Sequence, residues 1–212
     1  MRGVQIAELG ATPELAEIDG DGSVAILAVG LNPLDLAVAA GRFYGGHPPF
    51  PYVPGCEAVG RIDGQRVHLF GDGRGTIKDG FLVERATFPE QLVVPVPDGL
   101  DDAAAAVCGI AGIAGWGPVA RRAPVRPDDR VLVLAATGTV GSIALQGARA
   151  LGAARVVAAG RDETALERTL ELGADATVIG AIAAALQLAR RGSAPASVLG
   201  SFAISGVAGH AR

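Results

Sequence analysis

The sequence predicts an α/β protein in which a β-rich amino-terminal part precedes a doubly wound parallel sheet. Three observations predict it. Residues 130–162, RVLVLAATGTVGSIALQGARALGAARVVAAGRD, read as strand, glycine turn, helix and second strand. From residue 130 onward short apolar strands and helical repeats alternate, the mark of a right-handed parallel sheet. Residues 1–100 are instead broken by Gly and Pro at short intervals, with brief β-type runs between them. That is the texture of a small all-β, barrel-like domain.

In chain order, the β-type runs lie at 3–9, 24–29, 53–62, 66–70, 81–84 and 92–94. A short helix is expected through Ala40, with Asn32-Pro33 forming a turn and Asp35 as its cap. Two proline-rich links, 48–55 and 94–99, must be extended, because proline excludes helix there. At Asp101 the texture changes to Ala-rich helix. Asp101 or Asp102 caps a helix through about Ile110, and a second helix follows through about Arg122. Then come β at 130–135, α at 140–151, β at 155–160, α at 163–172, β at 176–179 and α at 181–191. A further strand is expected around 197–204.

Residues 131–134 are apolar on both faces, as a central parallel strand requires. Gly138 and Gly141 then let the backbone turn tightly, and from Val140 to Leu151 apolar residues return at helical spacing. Such a turn offers free N–H groups and the positive end of a helix to an anion, which a dinucleotide pyrophosphate needs. Thr137, Gly138, Thr139, Val140 and Gly141 are therefore candidate cofactor-binding residues. NAD-binding folds commonly place an acid at the end of the second strand, about twenty residues past the glycines. Here that end reads Gly160-Arg161. Without a carboxylate first in line and with a guanidinium beside it, a 2′-phosphate can be paired, so NADP(H) is the expected cofactor. The competing reading makes Arg161 a solvated helix-start residue ahead of Asp162, itself a fair N-cap.

At 212 residues a sizeable core is available. The net charge of −4 leaves no basic field for nucleic acid or an anionic membrane. Arginine greatly outnumbers lysine, of which Lys78 is the single example, a bias that suggests a GC-rich coding sequence. Cys56 and Cys108 lie far apart and form no metal-spaced pair, as in a reduced cytoplasmic protein. Two long stretches, 103–120 and 192–209, lack charge, but both are mostly Ala, Gly and Ser and each contains proline. They are read as soluble segments, and the amino terminus lacks a long apolar signal core. Trp116 is read as core.

Several motifs follow one another in a family's order: NPLD (32–35), GRFYGGHPPFPYVPGCEAVGRI (41–62), DGFLVER (79–85), VPVPDGLDDAAAA (94–106), AATGTVG (135–141) and LGAD (172–175). In this the chain resembles the medium-chain dehydrogenase/reductase superfamily, in its zinc-independent quinone oxidoreductase-like branch. The resemblance implies a chaperonin-10-like β-barrel domain over residues 1–112 and a partial Rossmann domain over 113–212, with the active site in the cleft between them. It also implies NADPH-dependent hydride transfer to quinones, enones or related carbonyl compounds.

Departures from the family pattern are informative. Zinc-bearing relatives place a cysteine where this chain has Asn32 and a histidine where it has Cys56. They also carry a lobe of four clustered cysteines that is missing here. Cys56 and Glu57 alone cannot build a tetrahedral site, and His47, His68 and His210 are scattered singly, so no metal is expected. Hydride transfer without metal still needs cofactor and acceptor held together and a group to polarise the carbonyl and supply a proton. By resemblance, a tyrosine donor belongs at Phe43; here the hydroxyl sits one position later, on Tyr44, either aimed into the cleft by a shifted loop or lying on its rim. Asn32 is the candidate for hydrogen bonding to nicotinamide or substrate. Ala114 stands where relatives often carry a threonine hydroxyl near the nicotinamide.

A complete doubly wound domain has about six strands in two halves, whereas residues 131–180 supply three. Uncovered apolar sheet would favour a partner, so a homo-oligomer is possible. Two readings stand at this point. One is an NADPH-dependent, zinc-free reductase or a fragment of one. The other is a non-catalytic truncated remnant that binds nucleotide weakly or pairs with another subunit.

Overall fold

The computed structural model describes residues 1–20 and 22–180, together with the backbone of the strand Ala196–Gly200. It divides into two compact units, the first ending at Ile110 and the second beginning at Ala111.

In the first unit, β1 (Arg2–Gln5) pairs antiparallel with β2 (Glu14–Glu17). A five-stranded antiparallel sheet follows, built from β3 (Val24–Gly30), β4 (Glu57–Ile62), β5 (Gln65–Phe70), β6 (Arg85–Ala86) and β7 (Val94–Pro95) in the order β6-β3-β4-β5-β7. Its buried face gathers Val24, Ala58, Val67, Leu69, Phe81 and Phe88. The helix α1 (Pro33–Ala39) contributes Val38 to a separate cluster with Ile6 and Tyr52. Burial of the Val, Leu, Ile and Phe side chains among these contributes on the order of 1.5–3 kcal/mol each.

The structure corrects several expected boundaries in this unit. The strand expected from Val53 begins only at Glu57, because Pro54 has no N–H to give and the Val53 N–H goes to Asp79 Oδ1 at 2.8 Å. The run 81–84 is not a strand. Phe81 and Leu82 donate instead to the carbonyls of Gly55 and Pro54, and pairing with β3 starts at Arg85. β2 carries charged residues at both ends and reads poorly as a strand. Asp35 does not start α1: Asn32 is its N-cap, and Asp35 sits one turn in, closing the capping box.

The helix expected to run from Asp101 to Ile110 stops early. Asp101 caps α2 (Asp102–Ala106), and a π-helical turn, Cys108–Gly112, replaces the remainder. A second α-helical stretch, α3 (Ile113–Gly117), continues as another π-helical turn, Pro118–Arg122.

In the second unit, β8 (Arg130–Leu134), α4 (Thr139–Ala150), β9 (Arg155–Gly160), α5 (Glu163–Glu171) and β10 (Ala176–Ile179) alternate as the sequence predicts. β11 (Ala196–Gly200) pairs with β8, so the sheet runs β10-β9-β8-β11 with every pairing parallel. The expected fourth strand is thus present, displaced toward the amino terminus of its predicted range. Val131, Val133, Leu145, Val156 and Leu166 form the core between this sheet and its helices. Trp116 is not core: it is 44% exposed, with one ring edge against Gly147. The helix expected at 181–191 and His210 lie outside the described residues.

Candidate active site

The glycine turn is built by the ends of two neighbouring strands. β8 stops at Leu134, and Ala135 takes a left-handed φ of 52°. Ala136 N–H then donates to Ala159 O at 3.0 Å, which ties the turn to the end of β9. Gly138 is the N-cap of α4 in an extended conformation and has no side chain to satisfy the first turn. By contrast, Asn32, Asp101 and Asp162 each cap their helices with a side-chain oxygen. Ser142 N–H makes the first bond of α4, to Gly138 O at 2.8 Å. The preceding N–H groups, on Thr139, Val140 and Gly141, have no partner within the helix and stand at the positive end of its dipole. Thr137, Gly138 and Thr139 are exposed beside them.

The end of β9 lies against this turn. A Cβ built on Gly160 would meet Thr137 Cγ2 at 3.2 Å, so the two candidate segments are neighbours. Arg161 is exposed. The acid that follows it, Asp162, is committed to α5, accepting Ala165 N–H at 3.0 Å. The structure therefore brings Thr137, Gly138, Thr139, Val140, Gly141, Gly160 and Arg161 together, with no carboxylate at the end of β9. Arrayed N–H groups, with an exposed arginine next in the chain after Gly160, suit a pyrophosphate and a further phosphate.

In the first unit Asn32 is held from both sides. Its Oδ1 accepts Leu34 N–H at 3.2 Å, and its own N–H donates to Asp35 Oδ2 at 2.9 Å. With the oxygen occupied by the cap, the amide presents Nδ2, which is buried and has no hydrogen-bond partner among the described residues. Asn32 is accordingly a donor. Asp35, only 7% exposed, accepts Cys56 N–H through Oδ1 at 3.0 Å. Burial holds its carboxyl above the usual carboxylate range despite these bonds. Burial, followed by the charge of Asp35 and a hydrogen bond to it, pushes the Cys56 thiol well up. Cys56 is thus a buried thiol whose surroundings favour its protonated form. Among the described residues, no three of His, Cys, Asp and Glu come together as a metal-binding group.

Tyr44 is 85% exposed, with its ring tilted against Phe43 at 4.6 Å between centroids. Two buried groups escape a reading of the sequence. Tyr52 packs between Ile6 and Val38 with its hydroxyl unpartnered among the described residues. Glu57 is fully buried, accepts Ile110 N–H at 2.8 Å and lies 3.5 Å from His68 Nε2. An acid inside the apolar run CEAVG is the available signal for Glu57.

No family model matches the chain. Individual relatives do. It is 31% identical over 180 residues to human quinone oxidoreductase, covering 77% of this chain and 54% of that protein. It is 35% identical over 155 residues to a phenolphthiocerol/phthiocerol polyketide synthase of Mycobacterium tuberculosis, covering 66% of this chain and 6% of that one. Among solved structures, the quinone oxidoreductase of Thermus thermophilus, determined also in complex with NADPH, superposes with a TM-score of 0.71. That match has 32% identity and covers 84% of this chain and 59% of the other. The chain spans about half the length of the quinone oxidoreductases it matches.

The parallel sheet and its glycine turn, in a chain that superposes on a solved oxidoreductase, define an α/β protein of Rossmann type. Within that class the chain is similar, in sequence and in fold, to the quinone oxidoreductase-like branch of the medium-chain dehydrogenases and reductases.

Proposed function

We propose that the chain is, or is part of, an NADPH-dependent and zinc-independent oxidoreductase that reduces quinones, enones or related carbonyl compounds. The observation that carries this reading is the uncapped amino terminus of α4 beside an acid-free end of β9. The N–H groups of the 137–141 turn hold the pyrophosphate, and Arg161 pairs the 2′-phosphate. NADPH supplies the hydride when bound. Asn32 Nδ2 donates to the acceptor's carbonyl oxygen, which stabilises the negative charge that develops there. Tyr44, open to water, is the candidate proton source.

Zinc independence is supported by the donor set. Asn32 is occupied in a helix cap, and Cys56 keeps its proton against Asp35. The antiparallel first unit is proposed to be the chaperonin-10-like domain (1–112), and residues 113–212 to be the Rossmann part. The free thiols Cys56 and Cys108 fit a reducing, cytoplasmic setting.

Calorimetric titration with NADPH, NADH and adenosine 2′,5′-bisphosphate tests the cofactor, and steady-state NADPH oxidation with a panel of quinones and enones tests the reaction. Tighter binding of NADPH than NADH together with acceptor-dependent oxidation is expected. NADH bound as tightly as NADPH would overturn the cofactor assignment. Binding with no turnover on any acceptor would favour the nucleotide-binding remnant instead.

A further inference from the structure

The Glu57 carboxylate is the least expected buried group in the first unit. It is 0% exposed, yet only one of its oxygens is hydrogen-bonded among the described residues. That oxygen, Oε2, accepts Ile110 N–H at 2.8 Å and faces His68 Nε2 at 3.5 Å. The other, Oε1, is buried without a hydrogen-bond partner, as is His68 Nε2. The turn Cys108–Gly112 is pressed directly onto this pair. A Cβ on Gly109 would lie 2.6 Å from Glu57 Oε2, 2.6 Å from His68 Cε1 and 3.1 Å from Phe70 Cβ. The nearby thiol of Cys108, on the same turn, is pushed up by burial and then by the charge of Glu57.

Stability alone does not account for this arrangement. A buried polar pair can often be replaced by apolar side chains of the same shape at little or no cost in stability. What the carboxylate does that a methyl group cannot is capture a particular N–H. α2 ends at Ala106, and the chain then departs from α-helical winding with Ile110 N–H turned to Glu57. Ile110 is the last residue of the first unit. Glu57 and His68, on adjacent strands, therefore fix the backbone at the point where the chain leaves the unit that carries Asn32.

We propose that the Glu57–His68 pair is a clasp that sets the Cys108–Gly112 turn, and that Glu57 is a positioning residue for the reduction proposed above, on which this part of the inference rests. Hydride transfer is sensitive to misplacement of about 1 Å, which can cost on the order of 100-fold in rate. The residues assigned to the cofactor's phosphates belong to the second unit. Releasing the clasp therefore lowers turnover and leaves NADPH affinity alone.

The test uses the full chain and three variants, Glu57→Ala, Glu57→Gln and Gly109→Ala. Amide exchange across 108–112, NADPH affinity, and kcat and KM for a quinone are measured for each. Glu57→Ala is expected to speed exchange at Ile110 by about 10-fold or more and to lower kcat by about 10-fold, with the NADPH Kd within about 2-fold of wild type. Glu57→Gln keeps an oxygen at the Oε2 position for Ile110 N–H, so it restores both. If Glu57→Ala does not fold, Gly109→Ala keeps both side chains but sets a Cβ against them, which forces the turn and the pair apart, and the same split is expected. Unchanged exchange at Ile110 in the folded variants would overturn the clasp. Equal losses in NADPH affinity and kcat, or a Gln variant as impaired as Ala, would overturn the positioning role. A wild-type chain that turns over no acceptor refutes the reductase reading and with it that role, while exchange at Ile110 still decides the clasp.

Discussion

A Cβ on Gly141 would lie 2.2 Å from the carbonyl oxygen of Ala135. That distance fixes how closely α4 approaches the end of β8. Gly138, three residues earlier, meets nothing nearer than 3.5 Å and has a φ of −84°, which any residue adopts. Gly141→Ala should therefore destabilise the protein by about 1–3 kcal/mol, the usual cost of overpacking. Gly138→Ala should leave stability within about 0.5 kcal/mol of wild type, yet weaken NADPH binding where the pyrophosphate meets the backbone. Urea melts and calorimetric titrations separate the two effects. A Gly141→Ala protein as stable as wild type would refute the packing argument.

Arg161 is exposed, and the acid beside it is engaged in capping α5. Arg161→Ala should reduce the preference for NADPH over NADH by about 1.5–3 kcal/mol, the range for hydrogen bonds to charged groups. Affinity for NADH should not fall. An unchanged preference would make Arg161 a solvated helix-start residue, the competing reading of the sequence.

What the sequence reveals and what it conceals follow from the range of the interactions. The order β8-α4-β9-α5-β10 is legible because each element carries its own period and its own glycine or acidic boundary. The pairing of β11 with β8 is non-local and becomes visible only in the sheet. The same holds in the first unit. Nothing near residue 109 announces the π-helical turn, because its cause, Glu57, lies some fifty residues away in the chain. Asn32 is legible as a turn former, but the sequence points to Asp35 as the cap, whereas the bonds to Leu34 and Asp35 give that place to Asn32. Both residues are good caps, and only the backbone shows which stands at the boundary. Trp116 misleads for a different reason: a large apolar residue is normally core, but a neighbouring glycine here takes only one edge of its ring.

Asp35 makes stability depend on pH. Its carboxyl is held above the usual value of 3.8, with burial the leading cause, so the folded state binds this proton more tightly than the unfolded state. The stabilisation is complete at pH below that usual value and is lost as pH rises through the raised one. Asp35→Asn cannot titrate. The stability of wild type relative to the Asn variant should therefore decline as pH rises from below 3.8 into the weakly acidic range, while the lowered carboxyls of Glu84 and Asp175 cancel in the comparison. Urea melts of both proteins across that range measure it, and a flat difference would contradict the assignment.

The cap and the donor of Asn32 can be separated. Its Oδ1 holds Leu34 N–H while Nδ2 stays buried without a partner among the described residues, so substitutions that keep an oxygen at the cap remove only the donor. Ser and Asp cap helices about as well as Asn, whereas Ala costs about 1 kcal/mol. Asn32→Ser should thus melt close to wild type, as should Asn32→Asp apart from a small penalty for a second carboxylate beside Asp35. If Nδ2 polarises the acceptor's carbonyl, both should lower kcat by about 100-fold, the scale for losing one donor to a developing oxyanion. NADPH affinity should be unaffected, since the residues assigned to the phosphates lie in the other unit. The serine variant excludes charge as the cause, and Asn32→Ala adds loss of stability to the same loss of rate. Steady-state kinetics beside thermal melts give the answer. A serine variant with wild-type kcat would reduce Asn32 to a helix cap.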